Sequence, residues 1–281
     1  MIARLGSASL AAVLVLSGSG AGTARAGAAV QPVPEIMAAL GDSISTGFNA
    51  CGWYVSCASR SWSSGDHREV SSHYLRLSHL SGTIHKHNLN FAAPGSTSAD
   101  LLGQVKKAVA AKADYVTILI GAQDACVRTE QEMTSVSTYR ARLDRALREL
   151  RAGMPGARVF LASIPDLRRL WRVGKDHPLA RSFWTLGRIC QTMLARPRSV
   201  KRADKERRSR VRERVMAYNN EAARACAAYG PACRTDGGAV FSFPFTLDHV
   251  SRWDYFHPST AGQRVLAEQT FEHGFDWLDP R

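Results

Sequence analysis

Residues 115–120 read Tyr-Val-Thr-Ile-Leu-Ile, a run that is rich in β-branched side chains and nearly all apolar. Such a segment has no face suited to water. As a strand it must be covered on both sides, which is the condition of a strand inside a parallel sheet packed between helices. The flanking sequence alternates accordingly. Short apolar runs at Glu35–Leu40, Asn88–Ala92 and Arg158–Ala162 read as further strands, and Ala239–Phe241 as a short last one. Helical spacing is expected over His67–Leu80, Ser98–Ala111 with Ser98 as N-cap, Thr138–Arg151, Ala180–Leu194, Val211–Tyr229 and Thr260–Phe271. Thr260 with Gln263 has the form of a capping box. Strands separated by helices imply parallel pairing through right-handed crossovers, hence an α/β fold: a three-layer α/β/α sandwich around a central parallel sheet. In such a sheet ligands sit beyond the carboxyl ends of the strands, so residues that follow strands are the ones to inspect.

The N-terminus has the form of an export signal. Arg4 opens a short positive region, Ala8 to Ser17 is apolar and small, and Ala24-Arg25-Ala26 is an A-x-A cleavage pattern. The expected division is a signal peptide at 1–26 and one domain at 27–281, secreted to the extracellular space. The apolar run is shorter than the about 20 residues that span a bilayer. Export also changes how the six cysteines read, because an even number outside the cytoplasm favours disulfides. Cys51 and Cys57 are close in sequence, as are Cys226 and Cys233; if both pairs form, Cys126 and Cys190 remain for each other. There is no C-x-x-C. His67, His73, His79, His85 and His87 straddle a helix and a loop without zinc spacing, so neither a metal nor another cofactor is expected.

Net charge is +13, and +11 once Arg4 and Arg25 leave with the signal. Much of the excess is local: Arg196–Arg214 holds ten Lys/Arg against Asp204, Glu206 and Glu213. A run like this is a solvated helical face or loop, or a docking site for an acidic envelope surface. Without a recognised motif or interleaved aromatics it does not point to nucleic acid. A monomer is expected.

Two short segments carry chemistry. In Leu40-Gly41-Asp42-Ser43-Ile44-Ser45 a strand ends at glycine and Ser43 sits where the chain turns toward a helix. The position exposes the hydroxyl and offers backbone N–H groups to a developing oxyanion. Alone, Gly-Asp-Ser also fits an ordinary turn, with Asp42 bonded inside it. In Trp253-Asp254-Tyr255-Phe256-His257-Pro258 a carboxylate precedes a histidine by three residues just ahead of a helix. One turn can then carry both groups, Asp254 holding the imidazole and His257 presenting its other nitrogen to Ser43. Trp53, Trp62, Trp171 and Trp184 are candidates for an acyl pocket or for core packing.

Together the two segments resemble the first and last blocks of the SGNH (GDSL-type) hydrolases, and within them the secreted actinobacterial lipases and esterases. Asn90-Phe91-Ala92-Ala93-Pro94-Gly95 resembles the second block, and Gly121-Ala122-Gln123-Asp124 the third. Tyr218-Asn219, the stretch Cys233–Gly238 and the cysteine layout are similar too, which supports the three cysteine pairs above. The resemblance implies a flavodoxin-like sheet and a lipase or esterase with Ser43 as nucleophile, His257 as base and Asp254 as its orienting partner. It also implies an oxyanion hole from the Ser43 and Gly95 N–H groups and the side chain of residue 123. That block normally carries Asn; Gln123 sets the same amide on one further methylene, while Asp124 braces the loop. An acetylated-carbohydrate esterase and a non-catalytic envelope-binding protein on the same fold are the alternatives.

Overall fold

The computed structural model describes residues 32–277; the expected signal segment lies outside them. Five parallel strands form one sheet: β1 (Met37–Gly41), β2 (Asn88–Asn90), β3 (Tyr115–Leu119), β4 (Arg158–Leu161) and β5 (Cys233–Thr235). Their spatial order is β2-β1-β3-β4-β5, with Met37 in register with Tyr115 and Tyr115 with Arg158. This is the flavodoxin-like order, and its switch point falls between β1 and β3. Every residue of β1, β3 and β4 is buried, as the apolar run at 115–120 requires.

Strand alternation assigns the layers. Tyr115 and Phe160 face His73 of α1 (His73–Leu80), which also bonds Thr270 of α10 (Thr260–Gly274). On the opposite side α2 (Leu101–Ala110), α4 (Val136–Gly153) and α8 (Arg202–Tyr229) pack in succession. His73 is thus a core residue: its ring nitrogens lie 2.7 Å from the Tyr115 hydroxyl and 2.7 Å from the Thr270 hydroxyl.

Several elements differ from the sequence expectation. Ala239–Phe241 is helical, within α9 (Ala239–Ser242), and the last strand is β5 just before it. The Asp236 carboxylate takes the N–H groups of Ser163 and Val240, at 2.9 and 2.8 Å, and so turns the chain out of the sheet. The helix expected from His67 begins at His73, with Ser72 as N-cap. Ser98 does not cap α2: its N–H and hydroxyl both donate to Asp124, at 2.8 and 2.6 Å. Ala180–Leu194 is two helices, α6 (Pro178–Leu186) and α7 (Gln191–Leu194), separated by Arg188 and Cys190 in the left-handed region. Ser259, not Thr260, caps α10, while Gln263 is buried and bonds the N–H of Trp62 and the carbonyl of Ile44. Two short helices went unanticipated, α3 (Ala122–Ala125) and α5 (Leu167–Gly174).

The basic segment runs from the loop at Arg196–Lys201 into the first half of α8, which starts nine residues before the expected Val211. Arg207 donates to the carbonyls of Gln191, Thr192 and Ala195, closing the open C-terminal end of α7. Arg208 is buried over the Trp171 ring, 4.4 Å from its centroid. Arg210 pairs with Glu130, and Arg212 with Asp166. The sulfurs of Cys51–Cys57, Cys126–Cys190 and Cys226–Cys233 stand at disulfide distance.

Candidate active site

The Ser43 turn begins at Gly41, where the backbone takes φ +137° and a Cβ would sit 2.1 Å from the Leu119 carbonyl oxygen. Only glycine fits so close to the neighbouring strand. Gln104 clamps this residue: its Oε1 accepts from Gly41 N at 2.7 Å, and its Nε2 donates to Gly41 O at 2.9 Å and to Ser96 Oγ at 3.2 Å. The Gly41 carbonyl also accepts from Ala93 N at 3.2 Å. The end of β1 and the loop carrying Gly95 are therefore tied to one side chain, a role that nothing in the primary sequence signals. Asp42 is fully buried, and its Oδ1 accepts from Ile44 N at 2.9 Å, the turn role expected of it. Burial pushes its carboxyl up to about 7, against the opposing pull of the Ile44 N–H and of His257. Ser43 follows, 5% exposed.

Across the site, residues 250–259 form a loop closed by Ser251 N donating to His257 O at 2.8 Å, and Ser259 then caps α10. His257 Nε2 lies 2.7 Å from Ser43 Oγ, and His257 Nδ1 lies 2.5 Å from Asp254 Oδ2. Asp254 is itself fully engaged. Oδ1 accepts from the N–H groups of Phe256 and His257 at 2.9 and 3.1 Å, and Oδ2 also accepts from Asn49 Nδ2 at 2.7 Å. Burial would raise this carboxyl, but the hydrogen bond and charge of His257 and the two backbone donors outweigh it and hold it below the usual carboxylate range. Asn49, the second side chain on Asp254, comes from the Ser43 side of the site, and no local sequence signal marks it.

Gln123 lies in α3, which follows Gly121 two residues past the end of β3, and lines the same pocket as Ser43. A Cβ at Gly121 would meet Ile164 at 2.7 Å and Tyr139 at 2.9 Å, so glycine is required by close packing. Asp124 faces away, accepting both donors of Ser98. Gly95 has φ +80° and stands exposed in the loop after β2, outside the pocket wall. Among the described residues the N–H groups of Ser43 and Gly95 and the amide of Gln123 make no hydrogen bond within the protein.

The pocket beside Ser43 and His257 holds about 70 Å³ of water-sized space. Its walls are Pro165 with Leu167, Leu170 and Val173 from one side, and Phe245, Val250 and Phe256 from the other. None of the four tryptophans considered from the sequence lines it. Trp62 and Trp184 are core residues, Trp171 carries Arg208, and Trp53 is exposed. One wall comes from α5 and the segment before it, where no helix is expected from the sequence.

A GDSL-like lipase/acylhydrolase family model matches residues 37–270. No curated protein matches the chain. Among solved structures it resembles a variant of an acetyl-xylooligosaccharide esterase from Geobacillus stearothermophilus, with 17% identity over 88% of this chain and 97% of that one, and a TM-score of 0.53. It also resembles a protein from Parabacteroides merdae described as a GDSL-like lipase, with 14% identity over 87% and 97% of the two chains and a TM-score of 0.54. At these identities the structural likeness speaks to the α/β fold, while the family match spans nearly all of the described residues, both strand ends and the Asp254–His257 loop. On that match the chain belongs to the GDSL-like lipase/acylhydrolase family and is a carboxylic ester hydrolase.

Proposed function

We propose that the protein hydrolyses short-chain carboxylic esters through a Ser43–His257–Asp254 triad and an acyl-enzyme. The observation that carries this reading is the continuous relay from Asp254 Oδ2 through both nitrogens of His257 to Ser43 Oγ, at 2.5 and 2.7 Å, opening on an apolar pocket. With the Nδ1 proton held toward Asp254, Nε2 accepts the proton of Ser43 as the hydroxyl oxygen attacks the ester carbonyl. The N–H groups of Ser43 and Gly95 and the amide of Gln123 supply donors for the oxyanion; all three lack partners among the described residues. Collapse returns the proton from His257 to the leaving alkoxide, and the alcohol departs. Water, deprotonated by the same nitrogen, then attacks the acyl-Ser43 ester and releases the acid. The reaction assigns no step to a metal or organic cofactor.

The narrow pocket supports a short acyl group. An acetylated carbohydrate is a second reading, since the same space admits an acetyl group and the Geobacillus neighbour is an acetyl-xylooligosaccharide esterase. We also read the protein as secreted, with residues 27–281 as a monomeric mature domain. The A-x-A pattern at Ala24–Ala26 and three disulfides support export. No helix of the described residues is long and apolar enough to cross a membrane. Arg196–Arg214 has less support as a docking site for an acidic envelope, because Arg207, Arg208, Arg210 and Arg212 are engaged within the protein.

The test is hydrolysis of p-nitrophenyl esters from acetate to palmitate by the protein and by Ser43→Ala. Turnover that is lost in Ser43→Ala and is fastest at acetate to butyrate is expected. Turnover that survives the substitution would overturn the mechanism, and a palmitate optimum would overturn the chain-length assignment.

A further inference from the structure

Two exposed apolar features flank His257, and neither is used by the chemistry above. The first is the loop closed by Cys51 and Cys57, which carries Trp53, Tyr54 and Val55 at 59%, 75% and 46% exposure. The disulfide, the bond from Asn49 N to Val55 O at 2.8 Å, and a left-handed Tyr54 (φ +53°) keep these side chains from folding inward. The rings run in sequence toward the site: Trp53 to Tyr54 at 5.1 Å, Tyr54 to Phe48 at 5.9 Å, and Phe48 to His257 at 4.9 Å between centroids.

The second feature is α6. Its inner face buries Ala180 and Trp184, and Trp184 Nε1 donates to Tyr255 O at 2.9 Å, two residues before His257. Its outer face sets Leu179, Phe183 and Leu186 at i, i+4 and i+7, exposed by 56%, 37% and 84%. A helix apolar on both faces has one face without a partner. Phe183 reaches Tyr255 at 5.7 Å, so this stripe also adjoins the histidine loop. Arg188, two residues beyond Leu186, and Arg252, which lines one cleft with Cys51, are exposed and enter no ion pair among the described residues.

We propose that the Trp53–Val55 loop and the outer face of α6 form one docking surface for an anionic phospholipid bilayer, which brings the mouth of the Ser43 pocket against the lipid. Three features favour lipid over other occupants. Tryptophan and tyrosine are the side chains suited to a membrane interface. The unpaired arginines and the net charge of +11 left once Arg4 and Arg25 depart with the signal complement an anionic surface. Apolar insertion and basic attraction together supply the two signals that stable peripheral binding requires. The docking itself does not depend on catalysis; only its consequence for turnover rests on the esterase reading.

The experiment is cosedimentation of Ser43→Ala protein with vesicles of equimolar phosphatidylglycerol and phosphatidylcholine, and with vesicles of phosphatidylcholine alone. Binding to the anionic vesicles is expected to be stronger by tenfold or more. Trp53→Ser/Tyr54→Ser and Leu179→Ser/Leu186→Ser, each added to Ser43→Ala, are each expected to weaken it at least tenfold. In the Ser43 background both pairs should leave hydrolysis of soluble p-nitrophenyl acetate unchanged, which also shows that they fold. Absence of vesicle binding would overturn the proposal. So would undiminished binding by both double variants, which would mean attachment by charge alone, as to an acidic polymer. Self-association of the protein abolished by the same substitutions would assign the surface to a second copy instead. If the protein has no esterase activity at all, that failure appears in the soluble assay and leaves the vesicle result standing on its own, with folding then read from circular dichroism.

Discussion

Asp254→Asn is a demanding test of the proposed relay, because both orientations of the new amide can be worked through. In the first, the amide oxygen replaces Oδ1 and keeps the Phe256 and His257 N–H groups, now at 2.9 and 3.1 Å. The NH2 group then faces both His257 Nδ1 and Asn49 Nδ2. His257 must accept at Nδ1 and carry its proton on Nε2, where it cannot take one from Ser43, and Asn49 loses its acceptor. In the flipped orientation the oxygen serves His257 and Asn49, and two backbone donors are left facing an NH2. The first orientation leaves one donor unsatisfied besides the tautomer change and the second leaves two. At about 1–3 kcal/mol per stranded buried donor the unproductive form dominates by about 10-fold to 10²-fold. Loss of the carboxylate charge that stabilises the imidazolium adds to this, toward the about 10⁴-fold, or about 5 kcal/mol, known for the wrong tautomer in serine proteases. We expect kcat/KM on p-nitrophenyl acetate to fall by about 10²-fold to 10⁴-fold, with an unchanged circular dichroism spectrum. A loss below threefold would refute the assignment and leave a Ser43–His257 dyad.

Other consequences can be measured as directly. Gln123→Ala should lower kcat by about 10²-fold if the amide donates to the oxyanion. Gln123→Asn should match or exceed the parent; a tenfold drop in Gln123→Asn would mean that the longer side chain is matched to its own substrate. The pH dependence of stability should hide two opposed terms. Burial, with Arg76 beside it, lowers His73 from 6.5 to about 3. The unfolded chain therefore binds that proton first, and stability is lost as pH falls from about 6.5 toward 3. Burial raises Asp42 from 3.8 to about 7, so the folded chain binds that proton first, and stability is gained as pH falls from about 7 toward 3.8. The slopes oppose each other at up to about 1.4 kcal/mol per pH unit. Asp42→Asn should therefore expose a stability that declines between pH 6.5 and 4 in urea unfolding; parallel curves for parent and variant would contradict this.

The layer architecture was legible because β3 and β4 are apolar on both faces, a pattern that few other environments accept. Helix boundaries were less so where a tertiary partner overrides the local signal. Ser98 looks like a cap, but Asp124 claims its hydroxyl; Ala180–Leu194 has continuous helical spacing, but Cys190 breaks it to reach Cys126. Ser43, Asp254 and His257 could be picked out because a strand end and a three-residue interval are local features, and the fold does bring them together. Asn49 and Gln104 could not. Asn49 reaches Asp254 and Gln104 reaches Gly41 over 63 residues or more of chain, and no interval in the sequence announces such a meeting. The pocket wall was hidden for a related reason: α5 carries arginines between its apolar residues, and their disposition shows only once Arg169 and Arg212 find their partners.

The Gln104 clamp bears on how still the site is. A developing oxyanion responds to the distance between its donors, not to where either sits in the molecule. Gln104 grips the backbone of Gly41, two residues before Ser43, and the hydroxyl of Ser96, the neighbour of Gly95. A thermal displacement of the β1 end is thereby passed to the Gly95 loop, so the two proposed oxyanion donors, the Ser43 and Gly95 N–H groups, move together. Their separation should fluctuate less than either position does.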